Sequence, residues 1–214
     1  MSNELIPQAV GGPLAQYSLA DVAASGESAF LQRLQLFGSK SDACAEGKIG
    51  IGRYGIVKDD DITDLGTEVD VVVVAWRPKA LEVSDNIITS YDPATEVYAL
   101  IKARAGIKDS GCMYGPEFLF WIPSQAMFCT YFMSSKTARR EARKMEPLLR
   151  KAATLRCKLI ETAKYKWHGP VIVPCSSDLT LPEVDKLQAE TEKFMNPKDE
   201  APTEVAPESD GRAR

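Results

Sequence analysis

Four consecutive valines, Val71 to Val74, sit inside the ten-residue stretch TEVDVVVVAW, Thr67 to Trp76. β-Branched side chains lose rotamer freedom in a helix and pack well on a pleated surface, so this stretch predicts a strand. The apolar run Val71 to Trp76 is far too short to cross a bilayer as a helix. Other segments read the same way. FLQRLQLF (Phe30 to Phe37) alternates imperfectly and stops at Gly38-Ser39. KIGIGRYGIV (Lys48 to Val57) sets three glycines among β-branched residues, as a bent or bulged strand does. Leu81 to Tyr91 predicts a strand broken near Asp85-Asn86. Glu117 to Ile122 and Met127 to Met133 are aromatic-rich strands, and Pro123 to Ala126 has hairpin-loop length. Thr154 to Trp167 alternates at period two and predicts one long strand, with Gly169-Pro170 turning into a short strand, Val171 to Pro174.

Three helices complete the expectation. Pro93 to Ala105 has Val97, Leu100 and Ile101 as its apolar stripe and Gly106 as its end. A basic helix covers 136–152, capped by Ser134 or Ser135 and interrupted at Pro147, and a last helix covers Pro182 to Phe194. The chain then divides into a flexible segment 1–27, a single β-rich domain 28–195, and a disordered acidic tail 196–214. The tail holds three prolines, five acids and one large apolar residue, Val205, too little apolar surface to offset the cost of ordering. The fold class is β-rich, all-β or α+β. Its leading form is a five- to six-stranded barrel of the oligonucleotide-binding (OB) kind with two or three accessory helices, and a sandwich or an α+β sheet is the runner-up.

Charge is distributed unevenly. The whole chain carries −4, yet Lys136 to Lys166 holds eleven basic and three acidic residues, a net of +8, which leaves −12 elsewhere. Such asymmetry suggests a polyanionic partner or an internal charge partner. Lys136, Arg139, Arg140, Arg143 and Lys144 recur at spacings of three and four, so a helix would gather most of them on one side.

Rings stand beside these and other cations in Arg53-Tyr54, Trp76-Arg77-Pro78-Lys79 and Lys164-Tyr165-Lys166-Trp167-His168. Stacking on aromatic rings together with backbone neutralisation is how single-stranded nucleic acid is held without regard to sequence. The candidate stacking rings are Tyr54, Trp76 and Trp167. The candidate phosphate contacts are Arg53, Arg77, Lys79, Arg139, Arg140, Arg143, Lys144, Lys164 and Lys166. Along a strand, Lys164, Lys166 and His168 would face away from Tyr165 and Trp167.

Catalytic patterns are weak by comparison. Gly50, Gly52 and Gly55 match G-x-G-x-x-G, but Lys58-Asp59-Asp60-Asp61 follows where a dinucleotide site needs a helix. Asp59, Asp60, Asp61 and Asp64 lack the spacing of a calcium loop and read as a solvated hairpin tip. Glu68, Asp70, Glu82 and Asp85 are scattered donors for a metal-dependent nuclease. His168, the only histidine, has Cys175 as a nucleophile candidate and no orienting acid. Cys44, Cys112, Cys129, Cys157 and Cys175 form no C-x-x-C pair and read as free thiols of a reducing compartment. No enzyme activity, cofactor, metal or membrane association is expected, and the localisation expected is cytoplasmic.

A compact β-rich body, a basic helix-and-strand stretch with interleaved rings and an acidic C-terminus resembles the layout of phage-type single-stranded DNA-binding proteins with an OB barrel. The fragments GCMYGPEFLFW (Gly111 to Trp121) and MSSKTARREARK (Met133 to Lys144) are similar in character to small phage replication-module proteins. The resemblance implies coating of unpaired DNA in phage replication or recombination, within the host cytoplasm, and recruitment of replication or recombination proteins through the tail. It leaves DNA or RNA preference and homo-oligomerisation open. Two alternatives stand beside it: a structural or assembly protein whose basic helix and apolar hairpin contact other subunits, and the metal-dependent nuclease.

Overall fold

A computed structural model describes residues 32–58, 61–84, 87–91, 93–163, 165–177, 179–196 and 203–204. The flexible segment expected at 1–27 and nearly all of the expected acidic tail lie outside these residues. The strands are β1 (Gln32–Leu36), β2 (Tyr54–Lys58), β3 (Asp61–Gly66), β4 (Glu68–Ser84), β5 (Ile87–Tyr91), β6 (Cys112–Ile122), β7 (Met127–Phe132), β8 (Ala152–Glu161), β9 (Lys166–Pro174) and the two-residue β10 (Thr203–Glu204). The helices are α1 (Asp42–Ala45), α2 (Glu96–Arg104), α3 (Lys136–Ala142) and α4 (Val184–Met195), with 3-10 turns at Pro123–Gln125 and Arg143–Leu148. Among the described residues, no helix is long and apolar enough to cross a membrane.

The valine strand organises the sheet. β4 is 17 residues long. Its first residues, Glu68 to Val72, pair with β8, its middle with β6, and its last, Ala80 to Ser84, with β5. Strand order is β10-β5-β4-β6-β7-β1-β2-β3, with β8 added on β4 and β9 on β8. Every pairing is antiparallel except β1 with β7. The β4–β6 register slips between Val73 and Ala75, a bulge that adds local bend and twist within the valine run. Pro78 and Pro116 face each other across these strands, so the two missing N–H donors fall at one rung of the ladder.

One core runs through most of the sheet. It joins Leu34, Tyr54, Ile56, Val69, Val71, Val73, Phe118, Phe120, Tyr131, Leu155 and Ile172, and α3 closes it with Ala138 and Ala142. A smaller cluster, Ala80, Tyr98, Ile101 and Cys112, fixes α2 to the far end of β4 and β6. α4 lies on the opposite face of β4, where Arg77 Nη1 donates to the Phe194 carbonyl at 2.7 Å and the guanidinium covers the Phe194 ring.

The β-rich class agrees with the sequence reading. Instead of a closed barrel of five or six strands, the ladders among the described residues form one open sheet of ten, with none joining β3 to β9. The predicted strand Thr154 to Trp167 is instead the hairpin β8–β9. Its turn holds no glycine or proline. Thr162 supplies the turn chemistry: its N–H donates to the Tyr165 carbonyl at 2.8 Å and its hydroxyl accepts from the Tyr165 N–H at 3.0 Å. Gly169-Pro170 is no turn, because β9 runs through it. The bent strand predicted from Lys48 shortens to β2, with Gly50 and Gly52 in the preceding loop. At Gly52 φ is +77°, and a Cβ there would strike the His168 ring. The basic helix stops at Ala142 and tightens into a 3-10 turn containing Pro147. Arg150 adopts φ 62° before β8 starts at Ala152. In α2 the buried residues are Tyr98 and Ile101, whereas Val97 and Leu100 of the predicted stripe face outward.

Candidate nucleic-acid interface

Local sequence makes α3 a surface helix with one buried side. The Ser135 hydroxyl caps it by accepting from the Ala138 N–H at 3.1 Å. Ala138, Glu141 and Ala142 face inward, which turns Lys136, Arg140 and Arg143 outward, where all three are exposed. Among the described residues these three cations form no ion pair or hydrogen bond. Two neighbours differ. Arg139 turns in and donates through Nη1 to the Tyr114 and Ser134 carbonyls at 2.8 and 2.5 Å, stitching the helix to β6, and Lys144 pairs with Glu141 at 2.7 Å.

The β8–β9 hairpin stands beside this helix. Gly169 lies where they meet: a Cβ built there would lie 2.8 Å from Ile160 Cδ1 on β8, 3.3 Å from the Thr137 methyl on α3 and 3.8 Å from Trp167 Nε1. The half-buried Trp167 ring therefore sits at the junction of α3 and β9. In register, Arg156, Lys158 and Ile160 share a face with Val171, Gly169 and Trp167, whereas Cys157, Leu159 and Glu161 share the other with Pro170, His168 and Lys166. Lys158 is exposed and forms no ion pair or hydrogen bond among the described residues. Arg156 lies 3.3 Å from Glu68, and Lys166 lies 2.8 Å from Glu161. At the tip Tyr165 is 71% exposed, on a turn held by the two Thr162 contacts. Lys164 lies outside the described residues.

Several candidates from the sequence belong elsewhere. Tyr54 is fully buried, edge-on to Tyr131, with its hydroxyl donating to the Arg156 carbonyl at 3.3 Å. A ring enclosed by core cannot stack a base. Burial, reinforced by Tyr131, pushes its phenol well above the ordinary range. Arg53 donates through Nε to both oxygens of Asp64, at 2.9 and 2.6 Å, which ties the loop to β3. The cluster Trp76 to Lys79 is split by the two-residue period of β4. Trp76 shares a face with Phe118 and is 41% exposed. Arg77 and Lys79 point to the opposite face, where both bind the buried carboxylate of Glu117 at 2.7 and 2.9 Å. They are cations committed to the structure, not to a phosphate.

The catalytic alternatives gain little from the geometry. Asp59, Asp60 and Asp85 lie outside the described residues. Asp64 is held by Arg53, Glu68 by Arg156, Asp70 by the Thr154 hydroxyl and Glu82 by Arg104. Among the described residues no three acids, histidines or cysteines gather as a metal would require. His168 neighbours Cys157 across Gly52 rather than Cys175, from which seven residues of strand set it roughly 20 Å away. Burial raises the Cys157 thiol, which weakens it as a nucleophile.

The surface that remains is a basic helix flank and a hairpin, with Lys136, Arg140, Arg143 and Lys158 as cations lacking counter-charge among the described residues and Tyr165 and Trp167 as rings. Chemically it can neutralise phosphates and offer π-faces. Tyr165, Lys136 and Lys158 were not among the sequence-derived site residues, although all three lie inside the basic segment. Reading one long strand hid the tip that exposes Tyr165. No family model, curated protein or solved structure matches the chain.

Proposed function

We propose that the protein binds single-stranded DNA without sequence preference and without catalysis, through the outer side of α3 and the β8–β9 hairpin. One observation carries this reading: α3, whose exposed cations have no counter-charge among the described residues, packs beside a hairpin that carries Lys158 and an exposed ring, Tyr165, on an ordered turn. A cation paired at short range gains less from a new anion, whereas Lys136, Arg140, Arg143 and Lys158 keep their full attraction for phosphate and release its counterions. Tyr165 and Trp167 offer faces for bases, each stacking contact being worth about 1–3 kcal/mol. Strands β1, β2, β4 and β6 to β9 all contribute side chains to one core, which supports reading the sheet as an opened form of the OB barrel. A part in phage replication or recombination follows from the layout and rests on this binding activity. Cys44, Cys112, Cys129, Cys157 and Cys175 are free, which suits the cytoplasm.

The test is tryptophan fluorescence during titration with an oligo-dT strand at several salt concentrations. Trp121 is buried and donates to the Thr180 carbonyl at 2.8 Å, so a change in emission reports chiefly on Trp76 and Trp167. Expected is saturable quenching that weakens steeply with salt and largely disappears in Trp167→Phe. Absence of binding at low salt would remove the proposal and move the assembly role to first place.

A further inference from the structure

α2 is apolar on both sides. Its inner residues, Tyr98 and Ile101, pack on Ala80 and Cys112. Its outer residues include Val97, Ala99, Leu100 and Ala103, all exposed, and Ile107 follows one turn later. Leu100 and Ile107 are each 63% exposed. An exposed apolar stripe on a short helix suits an interface, because a solvent-facing side normally carries charge. The side residues do carry it. Arg104 is drawn to Glu82 at 2.8 Å, and Lys102 lies over the Tyr114 ring. The centre of the outer face is left to Leu100, Ala103 and Ile107.

We infer that this face is covered by a second copy of the chain, the two α2 helices packing antiparallel about a two-fold axis. The ends of the stripe choose this occupant. Glu96 marks its N-terminal end, and Arg104 and Lys108 mark its C-terminal end. Glu96 has no partner among the described residues, and the Lys108 side chain, 92% exposed, makes only a long 3.7 Å contact with its neighbour Asp109. An isologous antiparallel pair sets Leu100 and Ala103 against their own equivalents. It also brings each Glu96 to Arg104 and Lys108 of the second copy, opposite charges that match the helix dipoles. A parallel pair would set like charges together. Two helices of nine residues make a small interface, of the size found in weak, transient dimers. The inference does not depend on the proposed DNA binding.

Sedimentation velocity of the full chain, from about 1 to 100 µM, tests it, since small transient interfaces associate in that range. Expected is a concentration-dependent dimer, weakened about tenfold or more in Leu100→Glu, with unchanged circular dichroism. Should that variant unfold, Ile107→Glu repeats the test outside the helix. Glu96→Lys weakens the dimer, and adding Lys108→Glu restores it in part. A monomer throughout the range overturns the inference and leaves the face to a different occupant. A dimer indifferent to Leu100→Glu and Ile107→Glu overturns it as well, by placing the contact elsewhere.

Discussion

Trp76-Arg77-Pro78-Lys79 on β4 and Lys166-Trp167-His168 on β9 look alike as sequence, each a ring set among cations. They end in opposite roles. On β4 the strand period sends Arg77 and Lys79 to the face where Glu117 sits on the neighbouring strand and α4 closes above, so both charges are consumed inside. β9 belongs to a hairpin whose outer end has no covering layer among the described residues, and α3 brings further cations to its side. The difference teaches that a basic-aromatic cluster is a binding candidate only after its cross-strand neighbours are known. A carboxylate opposite, buried beneath a covering helix, turns it into a structural ion pair, whereas the Lys166–Glu161 pair on the hairpin, at 2.8 Å, stays exposed.

The largest effect should come from breaking the committed cluster. Glu117→Ala leaves two cations beneath α4 without their carboxylate and is expected to cost about 3–5 kcal/mol in chemical denaturation. A loss under about 0.5 kcal/mol, the level of ordinary surface substitutions, would mean the cluster is not buried in solution. Alkaline pH sharpens the same contrast through the buried groups. Burial raises Tyr54 and Tyr131, pushes Tyr98 up to about 12, and pushes the Cys129 thiol up to about 12. The unfolded chain releases these protons near the ordinary values of 10.0 and 9.0 while the folded chain keeps them. Stability is therefore complete below about pH 9 and falls as pH rises toward 12. A denaturation midpoint that stays flat from about pH 8 to 11 would contradict this burial.

On the exposed region the expected effects are smaller and fall on binding. Tyr165→Ala should weaken oligo-dT binding by about 1–3 kcal/mol and change stability by less than about 0.5 kcal/mol. Equal affinity for both proteins would remove the tip from the interface. Arg140→Gln with Arg143→Gln should reduce the slope of log affinity against log salt by about 0.7 for each phosphate that is no longer neutralised. The corresponding change at Arg139 should instead disturb the fold, because that side chain holds two backbone carbonyls. An unaltered slope in the double variant would argue against α3 as a phosphate surface.

Much of the secondary structure was legible because it is dictated locally. The valines, the aromatic pair joined by Pro123 to Ala126, and the last helix stand close to where periodicity put them. The errors share a cause. Alternation persists through Thr162 to Lys166 without glycine or proline, so a turn made by one threonine side chain looked like continuous strand. Gly169-Pro170 looked like a turn, but Gly169 serves close packing with Ile160 of β8 and Thr137 of α3. The site was legible only as a charge segment. Of its rings, Tyr54 proved to be core and Tyr165 surface.

The sequence by itself determined the β-rich class, the free thiols and the concentration of positive charge between Lys136 and Lys166, because these follow from residue type and short-range period. Tertiary structure alone decided which charges are available. Availability depends on what lies across a strand pair or beneath a helix, at separations of 40 residues for Arg77 and Glu117 and 117 for Arg77 and Phe194. It also decided that Leu100 and Ala103 of α2 face outward while Tyr98 and Ile101 face the sheet, since apolar residues on more than one side of a helix do not reveal which side the sheet will take.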